Sequence, residues 1–258
     1  MAGHSFHDEA WHIEHMGAEV MRLFAHAPNR LLETGKDFWI GLSGEPGCAD
    51  LNMAGLGASV SDDDLDRVVK VIRDTQIDTI IVAPSEGSDL KARLEQRGIE
   101  TVGQVPCMER PAGPFDRPAP FKARMATPAE MAQVMDVSAR AFSLDIEKTS
   151  RSMPAEFLQD EGNEVWLVEE DGKILGTGVF MRTDDHLGVY VMATPEGHRG
   201  RGVGTAVLQS AIEHHQESGL RFATLGATEM GYPVYEKLGF RTVAQPYVAV
   251  IGASTQFS

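Results

Sequence analysis

The sequence is poor in cysteine, in long apolar runs and in positive charge. Its 258 residues include only two cysteines, Cys48 and Cys107, which is too few for a disulfide framework and favours a reducing compartment. No apolar run approaches the roughly 20 residues that a membrane-spanning helix needs, so we expect no membrane partner. The N-terminal residues lack the apolar core of a secretory signal, and we therefore expect a cytoplasmic protein.

Positive charge is outweighed by negative charge. The chain has 38 acidic residues against 23 lysines and arginines, which gives a formal net charge of -15. Because this excess repels phosphate at long range, we expect no nucleic-acid partner. The same excess would attract a cationic small molecule, but acidity also maintains solubility, and both interpretations stay open on composition alone.

A proline-rich stretch interrupts the chain near its middle. Prolines and a glycine break every helical or strand pattern between Cys107 and Lys122, which predicts a linker. We expect an N-terminal domain over residues 1–110, a linker over 111–120 and a C-terminal domain over 121–258.

Patterns of apolar residues predict the secondary structure on both sides of this linker. The C-terminal part has the order strand, helix, hairpin, strand, helix, strand, helix, strand, with the hairpin turning at Asp171-Gly172. This order predicts an α/β fold with a mixed sheet. The N-terminal part has a thinner version of the same series.

One short segment occurs twice. Residues 94–104, "LEQRGIETVGQ", align without gaps to residues 235–245, "YEKLGFRTVAQ". Gly98 and Gly239 correspond and suit helix ends, whereas Leu94 stands where the second copy has Tyr235. A repeated segment favours two copies of one unit.

The segment "VMATPEGHRGRGVGTAV", residues 191–207, carries the clearest chemical signal. A predicted strand leads into a loop with Gly200, Gly202 and Gly204, and a helix follows. Helix N-termini present unpaired N–H groups, and glycines allow close approach to the backbone, so we expect an anion site. The spacing fits neither a dinucleotide motif nor a Walker A loop, because Val207 replaces the third glycine and no Gly-Lys-Ser/Thr is present.

Together, Arg-x-x-Gly-x-Gly at residues 199–204 and Tyr-x-x-Leu-Gly-Phe at 235–240 resemble the acetyl-CoA-binding core of the GNAT N-acetyltransferase superfamily. The resemblance covers about residues 121–251. It implies a mixed α/β (α+β) architecture with two GNAT-like acyl-CoA N-acyltransferase folds in tandem. The N-terminal copy would be degenerate, because it has the acidic run "SDDDLD" at 61–66 where a pyrophosphate loop should lie, and Leu94 in place of tyrosine.

The resemblance also implies roles for particular residues. Backbone groups of Val191, Met192 and Ala193 would hold the pantetheine arm and polarise the thioester carbonyl. Tyr235 would be the catalytic acid that protonates the leaving thiolate. The loop residues would bind the pyrophosphate through N–H groups and added positive charge, and they are Arg199, Gly200, Arg201, Gly202, Val203 and Gly204.

The function implied is an acetyl-CoA-dependent N-acetyltransferase, with acetyl-CoA as co-substrate and a primary amine, expected to be a small molecule, attacking the thioester directly. Two alternatives stay open: a non-catalytic acyl-CoA-binding or sensing module, and a protein N-acetyltransferase. The N-terminal copy is hypothesised to complete the acceptor pocket, and a homodimer is one of the oligomeric states left open. No general base is identified among His186, Glu164 and Glu196.

Histidines near the N-terminus invite a metal interpretation. However, Ile13, Met16, Val20, Leu23 and Phe24 trace an apolar helical face, which explains the polar residues as its solvent side. We therefore expect no metal at the four histidines of this segment, which are His4, His7, His12 and His15.

Overall fold

A computed structural model describes residues 5–183 and 185–252 of the protein. These residues divide into two compact units. One unit is built mainly from Met108–Thr242, and the other combines Phe6–Cys107 with the segment that begins at Val243. Each unit has its own apolar core.

Helices and strands alternate along the described chain. The helices are α1 (Glu9–Leu23), α2 (Asp62–Thr75), α3 (Leu90–Gln96), α4 (Met131–Phe142), α5 (Ile146–Ser152), α6 (Val203–Gln216) and α7 (Tyr232–Lys237). The strands of the first half are β1 (Leu31–Gly35), β2 (Phe38–Leu42), β3 (Asn52–Leu56), β4 (Thr79–Ala83), β5 (Thr101–Gln104) and β6 (Cys107–Pro111). Those of the second half are β7 (Arg124–Met125), β8 (Asn163–Glu170), β9 (Lys173–Arg182), β10 (His186–Ala193), β11 (Phe222–Gly226), β12 (Arg241–Ala244) and β13 (Tyr247–Ile251). No helix in these ranges is both long and apolar enough to span a bilayer.

Local sequence signals account for several of these elements. Asp171 and Gly172 both have positive φ, 52° and 72°, as a two-residue hairpin turn between β8 and β9 requires. Thr127 and Glu130 form a reciprocal capping box at the 3₁₀ turn that leads into α4. The predicted hairpin turn is confirmed.

The described strands form one six-stranded and one seven-stranded sheet. The six-stranded sheet has the order β1-β2-β3-β4-β13-β5, and the seven-stranded sheet has the order β12-β6-β11-β10-β9-β8-β7. Successive antiparallel pairs, two in the six-stranded sheet and three in the seven-stranded sheet, are followed by a parallel pair, β3 with β4 and β10 with β11. Helices α2 and α6 make these parallel connections. The predicted mixed α/β class is confirmed.

Two strands belong to the sheet of the opposite half of the sequence. Strand β6 lies between β12 and β11, and β13 lies between β4 and β5. The β13 register pairs Val248 with Val82 on one side and with Gly103 on the other. The sheet membership of these strands therefore crosses the boundary predicted at residues 111–120, because each strand fills an interior position of the other sheet.

The proline-rich stretch packs along the core of the seven-stranded unit. Its apolar side chains Ala112, Phe115, Ala119, Phe121 and Ala123 contact the core cluster that includes α6. Polar side chains of α6 bind its backbone: Gln209 donates to the Arg117 carbonyl at 3.0 Å, Ser210 accepts from the Ala123 amide at 3.1 Å, and Gln216 donates to the Gly113 carbonyl at 2.8 Å.

Candidate active site

The parallel strands β10 and β11 part at the centre of the seven-stranded sheet. Their pairing runs from His186 with Phe222 to Val189 with Leu225, whereas β10 continues to Ala193. The pairing of β10 with β9 also shifts register between Tyr190 and Ala193. A bulge and an unpaired strand end leave main-chain polar groups available on the β11 side.

Val191 lies in this bulge with an unusual backbone conformation. Its φ is 46°, and a β-branched residue at positive φ is a genuine outlier that costs energy. Such strain is concentrated at functional sites. The backbone at Val191, Met192 and Ala193, which the resemblance assigns to the pantetheine arm, is therefore the irregular part of β10.

The glycine-rich loop leads directly into α6. Gly200 and Gly202 have φ of 75° and 84°, a region that favours glycine. Gly202 is the N-cap of α6 and provides no side-chain hydrogen bond to the first turn. The first N–H groups of a helix have no intrahelical acceptor. The start of α6, with Val203 as its first residue, therefore presents amides and the positive end of the helix dipole.

The third glycine of the loop is not required by packing within the protein. A Cβ at Gly204 would meet only Thr194 Oγ1 at 3.7 Å and Met192 Cε at 4.0 Å, which are ordinary contact distances. A Cβ at Gly202 would lie 2.6 Å from Cγ of Pro120. Gly202 is thus needed for its conformation and for packing against the proline-rich stretch, whereas a Cβ at Gly204 would fit at ordinary contact distances.

Both arginine side chains of the loop have partners within the protein. Arg199 donates to the carbonyl of Thr194 at 3.0 Å and to that of Ala141 at 3.0 Å. Arg201 donates to Glu170 at 2.8 Å, and its guanidinium lies 5.4 Å from the ring centroid of Phe121. These contacts brace the loop. Added charge from the two arginines at the anion site stays a prediction.

Tyr235 lies on the short helix α7 with its side chain mostly buried. It is 9% exposed, and its ring contacts that of Phe240 edge-on at 6.1 Å between centroids. Burial raises the pKa of Tyr235 to about 12. Within the described chain the Tyr235 hydroxyl has no hydrogen-bond partner, so the phenol keeps its proton at neutral pH without a neighbour to receive it.

The turn that ends α7 is repeated at the end of α3. Phe240 N donates to the Tyr235 carbonyl at 3.0 Å and Gly239 N to that of Glu236 at 3.0 Å, which is a Schellman motif with glycine in the left-handed region. In the other unit Ile99 N donates to the Leu94 carbonyl at 3.0 Å, and Gly98 N donates to the Glu95 carbonyl at 2.9 Å. The repeated segment therefore has the same geometry in both copies.

The first-half counterpart of the site differs at each of its three features. Within the described residues, β3 pairs with β2 without a register shift. Ser61 accepts from the Asp64 amide at 3.1 Å, so the start of α2 has a side-chain cap. Leu94, in place of tyrosine, is fully buried. This unit has neither a strand bulge nor an uncapped helix start at the corresponding positions.

None of the three residues considered as general base is placed at the parted strands. Glu164, on β8, accepts from His215 at 2.9 Å and from Trp166 at 2.8 Å. Burial opposes its ionisation, yet these hydrogen bonds lower the pKa of Glu164 overall. His186 is buried at the far end of β10, where Nε2 lies 2.7 Å from Thr224 Oγ1. Glu196 is exposed. No base is assigned.

The histidines near the N-terminus form ring contacts. Trp11 stacks between His7 and His15, with centroid distances of 3.9 Å and 3.7 Å. His4 lies outside the described residues. Among the residues that are described, no group of three or more His, Cys, Asp or Glu could hold a metal ion.

One contribution to the loop was not found in the sequence. Pro120, the last residue of the predicted linker, and Phe121, the first residue of the predicted C-terminal domain, lie against Gly202 and Arg201. Proline-rich composition carries no signal for this contact, because it indicates interrupted secondary structure and not a packing partner.

Parted parallel strands beside an uncapped helix start define a site for an extended ligand with an anionic group. Residues 131–240 match the family model described as "Acetyltransferase (GNAT) family". This segment is less than half of the chain. No curated protein matches the sequence.

Solved structures share the fold over most of the chain. A GCN5-related N-acetyltransferase from Kribbella flavida has a TM-score of 0.66 at 17% identity and covers 96% of this chain and 98% of its own. One from Sphaerobacter thermophilus has a TM-score of 0.58 at 16% identity, covering 85% and 82%. A tandem GNAT protein from the clavulanic acid biosynthesis pathway has a TM-score of 0.55 at 14% identity, covering 89% and 85%. These likenesses show the fold alone, and the family match is limited to residues 131–240.

Proposed function

We propose that this protein is an acetyl-CoA-dependent N-acetyltransferase whose acceptor is the primary amine of a small molecule. The observation that carries the proposal is the combination, within one unit, of the parted strands β10 and β11, the uncapped start of α6 and the buried phenol of Tyr235. The first-half copy lacks all three features in its described residues. We propose that it is a degenerate copy of the same fold, retained as a scaffold.

The residues present fit acetyl-CoA on two counts. The amides at the start of α6 suit a pyrophosphate. Because Gly204 has no side chain, a ligand can approach the backbone there. The irregular backbone from Val191 to Ala193 suits an extended amide-bearing arm. Acetyl-CoA would supply the activated acetyl thioester.

The proposed transfer balances without a further reactant. The amine nitrogen bonds to the acyl carbon, the carbon–sulfur bond breaks, and the sulfur retains the bonding electrons. The nitrogen loses one proton to solvent or to an unassigned base, and Tyr235 donates one proton to the sulfur and recovers it from solvent. Backbone N–H groups at the bulge would stabilise charge on the carbonyl oxygen.

The high pKa of Tyr235 limits how this acid can act. An ordinary thiol has a pKa near 8.5, so proton transfer from a phenol at about 12 is uphill by roughly 5 kcal/mol in water. Burial also raises the pKa of a thiol, which reduces this gap within the site. Donation would therefore accompany cleavage of the carbon–sulfur bond and not follow it.

A turnover assay tests the proposal. The protein is incubated with acetyl-CoA and a panel of small amines, and free thiol is measured. We expect amine-dependent release, reduced about 100-fold or more in Tyr235→Phe. Tyr232→Phe is the matched control, because Tyr232 lies on the same helix and its hydroxyl accepts a hydrogen bond from Thr242 at 3.2 Å. We expect that variant to keep full activity.

The outcomes separate the alternatives. Binding of acetyl-CoA without release for any amine, peptide or protein acceptor would favour the sensing module and contradict the proposal. Release only with peptides or proteins would favour a protein N-acetyltransferase and contradict the small-molecule acceptor.

A further inference from the structure

Arg110 is a buried cation in the interior strand β6. Arg110 is 7% exposed, and its guanidinium lies 4.0 Å from the ring centroid of Phe115. Burial lowers the pKa of Arg110, and Asp116 opposes this effect. All three nitrogens donate to backbone carbonyls: Nε to Leu238 at 2.7 Å, Nη1 to Pro111 at 2.9 Å, and Nη2 to Gly113 at 3.1 Å and Pro114 at 3.0 Å.

The bond to Leu238 fixes the end of the helix that bears Tyr235. Leu238 is the C-cap of α7, and its carbonyl is one of those that a helix end leaves without an intrahelical donor. Because α7 contains only residues 232–237, its ends determine its position. Tyr235 lies three residues before Leu238, which is less than one helical turn.

The contacts of Arg110 bear on geometry. Burial raises the pKa of Tyr235, whereas Arg110 binds backbone carbonyls. Its guanidinium is held by these four bonds in a fixed fork, which a lysine cannot reproduce. A small displacement of a catalytic group can cost about 100-fold in rate.

We infer that Arg110 is a positioning residue for Tyr235: it binds the end of α7 and the 113–114 turn together, and thereby fixes where the phenol lies. This inference rests on the proposed role of Tyr235 as acid. Arg110 comes from a strand outside the segment that matches the family model, residues 131–240.

The other unit provides a natural control. Arg73 donates to the carbonyl of Arg97 at 2.7 Å, and Arg97 is the C-cap of α3 as Leu238 is of α7. An arginine-to-lysine change at either position therefore removes a guanidinium bond to a helix C-cap carbonyl, although Arg73 is exposed and donates one bond to a backbone carbonyl where buried Arg110 donates four. Only α7 carries a tyrosine at the repeated position, because α3 has Leu94.

The test combines Arg110→Lys and Tyr235→Phe in the full-length protein, with kcat and KM for acetyl-CoA measured by thiol release. We expect Arg110→Lys to lower kcat about 10- to 100-fold with KM changed less than about threefold. In the Tyr235→Phe background we expect Arg110→Lys to lower kcat less than about twofold, because the group it positions is already absent. We expect Arg73→Lys to leave kcat unchanged.

Unchanged kcat in folded Arg110→Lys, or an equal loss of kcat in both backgrounds, would overturn the inference. An equal loss of kcat in both backgrounds would indicate general destabilisation, because that effect lowers kcat by the same factor whether or not Tyr235 is present. If Arg110→Lys does not fold by circular dichroism, Phe115→Leu replaces it, since that change removes the ring beneath the guanidinium and should lower kcat about three- to tenfold through Tyr235 alone.

A titration keeps this test separate from the proposed function. The absorbance of Tyr235 is obtained by subtracting the spectrum of Tyr235→Phe from that of the parent protein at each pH. In Arg110→Lys we expect the pKa of Tyr235 to fall by about one unit, because the phenol becomes more exposed to solvent. We expect no change in the pKa of Tyr235 in Arg73→Lys. An unchanged pKa would overturn positioning by Arg110, even in a protein that acetylates no amine.

Discussion

Tyr235 and Leu94 occupy the same place in two copies of one turn. In both copies a glycine at positive φ ends the helix and the following residue bonds back to the carbonyl of this position. Both side chains are buried, so either residue satisfies the packing. The two side chains differ in the aromatic ring and in the hydroxyl, and only the hydroxyl can donate a proton. The proposed chemistry therefore rests on the hydroxyl and not on the packing of the ring.

The pH dependence of turnover follows from the burial of Tyr235. Its folded pKa of about 12 lies above the ordinary value of 10.0, so the phenol stays protonated throughout pH 7–10. We expect kcat of the parent protein and of Tyr235→Phe to show parallel pH profiles in this range, offset by about 100-fold. A fall in kcat below pH 10 that Tyr235→Phe abolishes would contradict this. The same shift predicts that stability contributed by burying the neutral phenol is present below pH 10 and is lost as pH rises through about 12.

Gly204→Ala separates binding from folding. A Cβ there has ordinary contacts within the protein, and alanine in a helix is more stable than glycine by about 0.5–1 kcal/mol. We therefore expect a slightly raised free energy of unfolding but an acetyl-CoA affinity lowered at least about tenfold, because the methyl group occupies the ligand's approach. Calorimetric binding and urea unfolding measure the two effects.

Gly103→Ala is the control for that prediction, since a Cβ at Gly103 would meet no atom within 4 Å and Gly103 lies in the other unit. It should leave the affinity unchanged. An unaltered affinity of Gly204→Ala for acetyl-CoA would show that the ligand does not approach the backbone at Gly204.

At the scale of single elements, sequence predicted much of the fold. The hairpin at Asp171-Gly172 and the Thr127 cap were predictable because their residue types have few alternative conformations. Strand β6 was not predictable, because Glu109 and Arg110 are charged and yet buried. The sequence of this strand therefore resembles that of the polar, proline-rich linker that follows it. Whether a short segment forms a strand depends on its neighbours in the sheet, and the local sequence does not specify those neighbours.

The interior position of β13 makes it sensitive to charge. Ala249 is 1% exposed and pairs with Ile81 and Thr101. Ala249→Glu would bury an unpaired carboxylate, and we expect the free energy of unfolding to fall by more than about 3 kcal/mol. Val102→Glu, on the edge strand β5 at a side chain 53% exposed, should change it by less than about 0.5 kcal/mol. Similar effects in urea titrations would contradict the pairing of β13 between β4 and β5.

At the scale of the molecule, the site was more predictable than the connectivity. The glycine loop and the tyrosine motif are local patterns with fixed spacing, and each lies where its pattern predicts, in a loop before a helix and on a short helix. Their bracing by Pro120, Phe121 and Arg110 depends on strand β6 and on the path of residues 112–123. Long-range pairing of this kind leaves no periodicity in the sequence.

Sheet membership predicts which fragments fold. A fragment of residues 121–258 lacks β6 and retains β13 without its sheet, whereas residues 106–244 include β6 and all of β12 and omit β13. We expect the 106–244 fragment to unfold cooperatively by circular dichroism and the 121–258 fragment to lack a cooperative transition, because an interior strand is missing. Equal stability of the two would contradict the assigned sheet order. Deleting residues 1–110 is for the same reason no test of the first-half copy's role.

The crossing of β6 and β13 imposes an order on biosynthesis. Strands β4 and β5 leave the ribosome long before residues 247–251 have been made, yet the position between them stays vacant until then. Meanwhile β6 must wait for β11 and β12. Neither sheet can close on the nascent chain by local contacts alone, and pairing over such sequence separations is slow. The growing polypeptide therefore exposes one vacant strand position, between β4 and β5, and one unpaired strand, β6, which makes it a candidate client for chaperones that bind unpaired strands.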